Sequence, residues 1–347
     1  MKDIIWLDWA RVIGIFLVVF GHMLQRIPLW QENIIFDVWN WIYLFHMPLF
    51  FVISGYLYNQ KGNNGLNKIF WVLVIPYLIY QILYFPIRFW ALKSDESILI
   101  LIAKQICGIL LGDGYNTPIS YYCCLPCWFI ISIIQLRFLF NFIKINLLSS
   151  TILVIFSLAF LYIKKNTGLD LYACIDSTIM AIPYFLLGYW LRKSSENRIV
   201  NYLMGGGKIR MFICITFGAI ICLVYKYNGA AQMNGPSVGN DVIINYIGGC
   251  AGTFLVFYIS RYFRTLPKYI KSISRNTLFI IFFHWCCLLF IRKQIFVTNY
   301  VFVHFAEVLV FSMLVLIASY FAIILCEKYC KIMLGKYLPN NNKNNNI

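Results

Sequence analysis

Several apolar runs in this chain exceed the roughly 18 residues that mark a membrane-spanning helix, and short polar connectors separate them. The pattern predicts ten spans, at about 5–24, 38–58, 69–91, 125–143, 147–163, 173–191, 209–226, 242–263, 275–292 and 304–327. A shorter apolar stretch, 97–111, contains Lys104 and Gln105 and is expected as an interfacial helix in an outer loop. The expected fold is therefore all-α, a polytopic integral membrane helical bundle of about ten transmembrane helices. One membrane domain occupies 1–338, and an asparagine-rich polar tail, expected to be disordered, occupies 339–347.

Composition agrees with this pattern. Apolar residues make up 61% and charged residues 12% of the chain, and the mean hydropathy is +0.74. A soluble domain averages about 45–50% apolar and about 25% charged. Charge then sets an orientation. Of the 29 lysines and arginines, eighteen fall in loops or at span ends on the side of the N-terminus, nine in loops or at span ends on the other side, and Arg11 and Arg137 lie deeper within spans. Positive charge concentrates on the cytoplasmic side of membrane proteins, so both termini are expected in the cytoplasm. The formal charge of +16 is then an orientation signal that needs no nucleic-acid partner, although some of it can attract an anionic cytoplasmic ligand. The expected location is the cell membrane, multi-pass, in a bacterial inner membrane.

Against this background the ionisable residues inside the spans stand out, because burying them in hydrocarbon is costly and marks function. The first span contains Asp8-Trp9-Ala10-Arg11 and, after ten further residues, His22. Eleven residues turn a helix only ~20° past three full turns and rise roughly 16 Å. Arg11 and His22 thus share a face, about half of a ~30 Å hydrocarbon core apart. Asp8 lies near the same stripe, within pairing distance of Arg11. The second span carries Phe45-His46-Met47-Pro48-Leu49-Phe50-Phe51, where proline removes a backbone donor. His46 falls about 12 Å below the outer end at ~1.5 Å per residue, a depth comparable with that of His22. The two histidines are expected either to meet in the outer half of the membrane or each to satisfy a neighbouring helix.

Asp8-Trp9-Ala10-Arg11 with His22, followed by Phe45-His46-Met47-Pro48-Leu49-Phe50-Phe51 and Ser54-Gly55, resembles the membrane acyltransferase-3 family, its fucose O-acetylase-like and polysaccharide O-acetyltransferase members most closely. Further echoes are Ile75-Pro76-Tyr77, Leu125-Pro126 with Trp128-Phe129, Pro183-Tyr184-Phe185 with Leu187-Gly188, and the apolar run ending at His284. The resemblance implies a cytoplasmic acyl-CoA donor, acetyl-CoA first, and transfer to a hydroxyl of an extracytoplasmic glycan or lipid-linked sugar. His22 and His46 are the candidate catalytic residues, and Arg11, Lys68 and Arg137 the candidate donor contacts. Asp8, Ser54, Trp128 and His284 are expected to support them. Two departures are visible: the second inner loop offers only Lys61 and Lys68 where many relatives carry a basic pair, and Ile281 stands where tyrosine often precedes the late histidine.

The chemistry fits these residue types. Acyl transfer from a thioester to a hydroxyl needs a base, and histidine titrates near neutrality. Histidine can equally carry the acyl group covalently. The guanidinium of Arg11 suits a phosphate of CoA, or it serves only to pair with Asp8. Arg137 either adds a phosphate contact or snorkels to the inner interface, the expected course, and Trp128 either lines an acceptor cleft or, as expected, belongs to an aromatic belt. Among twelve cysteines, Cys123, Cys124 and Cys127 cluster, and packing is expected there with no metal bound. His304 is expected at the surface of the last span, and the Gly205-Gly206-Gly207 run as a linker. The competing function is a transporter or flippase for a sugar or lipid-linked sugar, which the absence of matching broken segments in the two halves disfavours.

Overall fold

The computed structural model describes residues 4–27, 34–60, 65–92, 96–111, 123–194, 207–291 and 301–336. The polar tail, Lys61 and the Gly205-Gly206 part of the glycine run lie outside the described residues. All regular elements among the described residues are helical; the β feature is an isolated bridge between Gln232 and Ser237. Helices α1 (Ile5–Leu24) and α2 (Ile34–Leu57) are followed by the short α3 (Leu66–Ile69), which continues through a π-helical turn (Phe70–Val74) into α4 (Ile75–Leu92). Then come α5 (Ile98–Leu111), α6 (Trp128–Phe142), α7 (Leu147–Thr167), α8 (Ile175–Ser194) and α9 (Gly207–Asn228). The last four are α10 (Val242–Ser260), α11 (Lys268–Arg275), α12 (Thr277–Phe290) and α13 (Val301–Tyr329).

Eight helices among the described residues are long and apolar enough to cross a membrane, nine if the bent α11–α12 pair counts as one. Two of the ten expected spans lie outside these eight. The span expected at 173–191 is α8, which is 20 residues long but carries Asp176, Arg192 and Lys193. Nearly all of its residues from Asp176 to Gly188 are buried against protein, so it does not need a lipid-compatible surface. The span expected at 275–292 is α12, and α11 turns away from it by 85°. Lys268, Lys271 and Arg275 keep one face of α11 polar while Ile270 and Ile273 are buried, which suits a helix at a membrane border.

The stretch 97–111 forms α5, which packs along α4. The side-chain amide of Gln105 donates to the Gln81 carbonyl at 3.2 Å and the Tyr77 hydroxyl donates to the Ile109 carbonyl at 2.9 Å. Later positions on α5 thus meet earlier positions on α4, so α5 runs antiparallel alongside it. Lys104 reaches back to the carboxylate of Glu96 at 2.6 Å, which satisfies the charge that suggested an interface. The π-turn before Pro76 has a local cause: proline supplies no N–H to the Val72 carbonyl, and the ladder reorganises around the gap.

The core is organised around α2, which packs on α1, α8 and α10. Glycines set these distances. A Cβ on Gly55 would lie 1.9 Å from the Phe185 carbonyl oxygen, and one on Gly188 would lie 1.9 Å from that of Val52. The two backbones are therefore in direct contact where α2 crosses α8, and the Ser54-Gly55 and Leu187-Gly188 motifs supply the small residues that allow it. On α10, Gly248 faces Leu44 and Gly252 faces Phe45. Small residues are how helices approach closely in lipid, where association rests on van der Waals contact.

A direct test follows. Gly55→Ala and Gly188→Ala should each destabilise the purified protein by about 1–3 kcal/mol, the usual cost of overpacking. Gly218→Ala, whose added Cβ meets nothing within 4 Å, should leave the thermal transition unchanged or slightly raised. Equal transition temperatures for all three variants would contradict the close crossing.

Candidate active site

Two clusters of polar side chains sit toward opposite ends of α1. The first surrounds its N-terminal turns. Arg11 donates to the Asp8 carboxylate at 3.3 Å, and the Ser274 hydroxyl donates to the same oxygen at 2.6 Å. Asp8 is buried, and the Arg11 side chain keeps 20% of its exposure. Trp9 stacks on Phe263 at 3.9 Å between ring centroids, and its indole N–H donates to the Thr265 carbonyl at 2.8 Å. Arg261 lies over the Trp6 ring at 4.8 Å. The Asp8-Trp9-Ala10-Arg11 motif thus fastens α1 to the basic segment 261–275.

The second cluster is a cavity of ≈ 190 Å³ whose lining includes His22, Gln25, Tyr43, His46 and Trp128, with Trp285 on α12. The His22 Nδ1 atom lies 3.0 Å from the Tyr43 hydroxyl and 3.3 Å from the Gln25 side-chain oxygen. An Nδ1–H donated to Gln25 leaves Nε2 as the basic atom; a proton donated by Tyr43 to Nδ1 places the ring proton on Nε2. Tyr43 also links the two expected histidines, with its ring centroid 5.8 Å from that of His22 and 4.6 Å from that of His46. His46 donates from Nδ1 to the Ile42 carbonyl at 2.8 Å, one turn back on its own helix.

His284 joins them. Its ring stacks on His22 with centroids 5.4 Å apart, its Nδ1–H donates to the Ile280 carbonyl at 2.8 Å, and its Nε2 is buried without a hydrogen-bond partner. It stands behind His22, and the neighbouring Trp285 takes the place in the cavity wall. His304, expected at the surface, is buried and held by Glu307 at 3.1 Å. Trp128 is buried in the cavity wall and not in a lipid-facing belt.

The remaining wall comes from two connecting segments. Residues 123–127 are anchored by Gln81, whose side chain accepts from the Cys124 N–H at 2.7 Å, so that Leu125 and Pro126 reach the cavity. Cys123, Cys124 and Cys127 are buried and unbridged, and no group of three metal-ligating side chains forms among the described residues. The 229–241 connection brings Gln232, Met233 and Asn234 to the cavity. Positive φ angles at Gly229, Gly235 and Gly239 shape it, and Asn228 staples it by donating to the Val238 carbonyl and accepting from the Asp241 N–H.

The expected site residues thus fall into two groups. His22, His46 and Trp128 share the cavity, with His284 behind it, while Asp8 and Arg11 share the opposite cluster. Lys68 is exposed on α3, Arg137 is half-buried on α6 beside Tyr58, and Ser54 is half-buried next to the glycine crossing. Sequence reasoning missed Gln25, Tyr43 and the 232–234 segment. Gln25 and Tyr43 were within reach of helical periodicity, one turn from His22 and from His46; the position of 232–234 depends on the connection's fold.

Residues 4–327 match a family model described as an acyltransferase domain. The nodulation protein NolL of Sinorhizobium fredii (strain NBRC 101917 / NGR234) is 24% identical over 260 residues, which cover 70% of this chain and 65% of that protein. The nodulation protein NolL of Mesorhizobium japonicum (strain LMG 29417 / CECT 9101 / MAFF 303099) is 28% identical over 267 residues, covering 71% of this chain and 64% of that protein. The chain thus spans just under two thirds of the length of these curated relatives. No solved structure matches it.

The first cluster makes a prediction of its own. Asp8→Ala leaves Arg11 without its acid, and should destabilise the protein by about 2 kcal/mol or more, as expected for a lost charge-assisted hydrogen bond. Ser274→Ala should cost about 1 kcal/mol. Adding Arg11→Leu to Asp8→Ala should restore part of the loss, measured as thermal transition temperature in detergent; a strictly additive double variant would show that the pair is not coupled.

Proposed function

Because this chain belongs to the acyltransferase family, we propose that it is a membrane O-acyltransferase, moving an acyl group, acetyl first, from cytoplasmic acyl-CoA to a hydroxyl of a glycan or lipid-linked sugar held on the other side of a bacterial cell membrane. The observation that carries this reading is His22: it lines a cavity with its Nδ1 held by Gln25 or Tyr43 and Nε2 left for chemistry, toward the end of α1 away from Arg11. The multi-pass helical fold supplies the membrane setting. The excess of basic loop residues favours placing the Arg11 end in the cytoplasm.

In the proposed reaction His22 Nε2 takes the proton of the acceptor hydroxyl as the oxygen attacks the thioester carbonyl. The tetrahedral intermediate collapses, the C–S bond breaks, and the CoA thiolate leaves with the proton that His22 returns. The products are an O-acyl ester and free CoA–SH. Gln25 fixes the tautomer by accepting Nδ1–H. His46 lies on the same wall, placed to contact the acceptor, and Trp128 and Trp285 offer flat faces against which a sugar ring packs. At the other end, Arg11 and Lys68 are proposed to meet the phosphates of the donor. Asp8 takes one end of the Arg11 fork and orients it. Ser54 is assigned a structural role at the α2–α8 crossing.

His22→Ala should lower acyl transfer at least 100-fold, within the range of a lost general base, with normal membrane insertion. Gln25→Ala should lower kcat with KM for acyl-CoA unchanged, because it positions the base without touching the donor. Near-wild-type transfer by a well-folded His22→Ala protein would remove that residue from the chemistry.

Sidedness provides the sharper experiment. In oriented vesicles, acyl-CoA supplied only at the basic face should acylate a glycan confined to the opposite face, and the glycan should stay there carrying a new ester. A transporter would instead move the sugar unchanged and leave the thioester intact. Acylation only when both substrates share one face would refute transfer across the membrane while leaving the family assignment in place.

A further inference from the structure

At the end of the bundle where α2, α6 and α8 finish, a basin of ≈ 700 Å³ is lined by Lys144, Arg192 and Lys193, with Asn59 and Asn141 beside them. Among the described residues, no carboxylate lines it. Its floor is fixed: the Tyr58 hydroxyl donates to the Phe140 carbonyl at 2.8 Å, and the Gln60 amide donates to the Ile143 carbonyl at 2.8 Å while its oxygen accepts from the Ile145 N–H at 3.0 Å. Two of the cations are also placed. Arg192 donates to the Tyr56 carbonyl at 3.4 Å, and the Lys193 ammonium sits over the Trp190 ring at 4.6 Å.

A second observation lies one turn deeper. Arg137 precedes Asn141 by four residues and so shares its face of α6. It adjoins Tyr58, and its Nε is buried without a hydrogen-bond partner. Among the described residues no acid balances this guanidinium within its span; such an arrangement is expensive and is retained where an anion meets it. Arg11, by contrast, already holds Asp8.

We propose that this basin, with Arg137 at its base, is the site that takes the phosphates of the acyl donor's nucleotide. The surface cations Lys144, Arg192 and Lys193 receive the terminal phosphate of the nucleotide, and Arg137 receives the diphosphate that leads inward. This assignment rests on the acyl-CoA reading of the donor. It adds phosphate contacts at the ends of α2, α6 and α8 to those proposed for Arg11 and Lys68. Basin volume is adequate, since small-molecule sites commonly occupy ≈ 300–1,000 Å³. Planar guanidinium groups at two depths suit phosphate oxygens better than lysines alone.

The test uses the full chain in nanodiscs of uncharged lipid, with adenosine 3′,5′-bisphosphate as a soluble probe that carries no thioester. Wild type should bind it by calorimetry, and K144A/R192A/K193A should bind at least ten-fold more weakly with a shallower dependence on salt. Arg137→Gln should weaken binding, and Arg137→Lys should recover part of it; an unchanged thermal transition certifies each fold. A well-folded triple variant with wild-type affinity overturns the proposal. So does a wild type that ignores the bisphosphate and responds only to phosphatidylglycerol added to the nanodisc, which would make the basin a lipid headgroup site. The function and the basin fail separately. Bisphosphate bound at the basin without acyl transfer from acyl-CoA counts against the proposed reaction and leaves the basin standing. Transfer by the triple variant with unchanged KM for acyl-CoA counts against the basin and leaves the reaction standing.

Discussion

The position of α2 depends on two glycines at one crossing. Gly55 and Gly188 let the backbones of α2 and α8 touch, with no room for a single additional carbon on either side. In a soluble protein, hydrophobic burial would press these helices together even with larger residues between them. In lipid that drive is absent, and the closeness of contact itself provides the attraction. Everything on α2 takes its place from this crossing: Leu44 and Phe45 fit against Gly248 and Gly252 of α10, and Leu49 and Phe50 lie against Gly14 of α1. Tyr43 and His46 are carried on the same rigid element, so the cavity inherits its geometry from packing several turns away.

The distribution of charge follows from the same setting. Asp8 is buried with both Arg11 and Ser274 on one carboxylate oxygen, and Asp176 is fully buried with Lys164 at 3.0 Å. The Asp8–Ser274 bond and the Lys164–Asp176 pair each tie two helices at buried positions where an uncompensated charge would be costly. The first joins α1 to α11, and the second joins α7 to α8. Breaking either leaves a stranded charge, so these contacts specify which helices are neighbours more than they add to net stability. The polar groups of the cavity are arranged differently. His46 and His284 each spend one ring nitrogen on a carbonyl of their own helix.

What the sequence reveals of this arrangement divides along the range of the interactions. Lengths of apolar runs identify most helices, because a bilayer imposes its thickness on each span independently. The 11-residue spacing places Arg11 and His22 on one face of α1, and depth arithmetic alone brings His46 toward His22; both depend only on helical geometry. The break between α11 and α12 at Asn276 was hidden, since Lys271 and Arg275 could belong either to a loop or to a polar helical face. The course of α5 along α4 was also hidden: Gln105 and Lys104 look like interfacial residues until Gln81 and Glu96 are seen to satisfy them. Trp128 and His304 were misplaced for a related reason. The face that a lone polar or aromatic residue presents to lipid or protein is decided by neighbours distant in the chain.

Proton traffic is where the cavity's details acquire meaning for the proposed reaction. The hydroxyl proton of the acceptor must reach the departing thiolate, so the base must hold it only briefly and at one atom. His22 has two partners on the same nitrogen, and they select opposite tautomers: Gln25 accepts, which leaves Nε2 basic, whereas Tyr43 donates, which leaves Nε2 protonated. A base that starts with its proton on Nδ1 and later returns one from Nε2 needs Gln25 throughout the cycle. Tyr43, meanwhile, can rotate its hydroxyl hydrogen toward another acceptor. Behind the ring, the unpartnered Nε2 of His284 offers a lone pair and no proton when its Nδ1–H is committed to Ile280. The stacked pair therefore places a second proton acceptor beside the proposed base, while His46 lies on the far side of Tyr43. The sequence places two histidines at comparable depth; the fold adds His284 and makes His22 the middle of three, with Gln25 and Tyr43 both on its Nδ1.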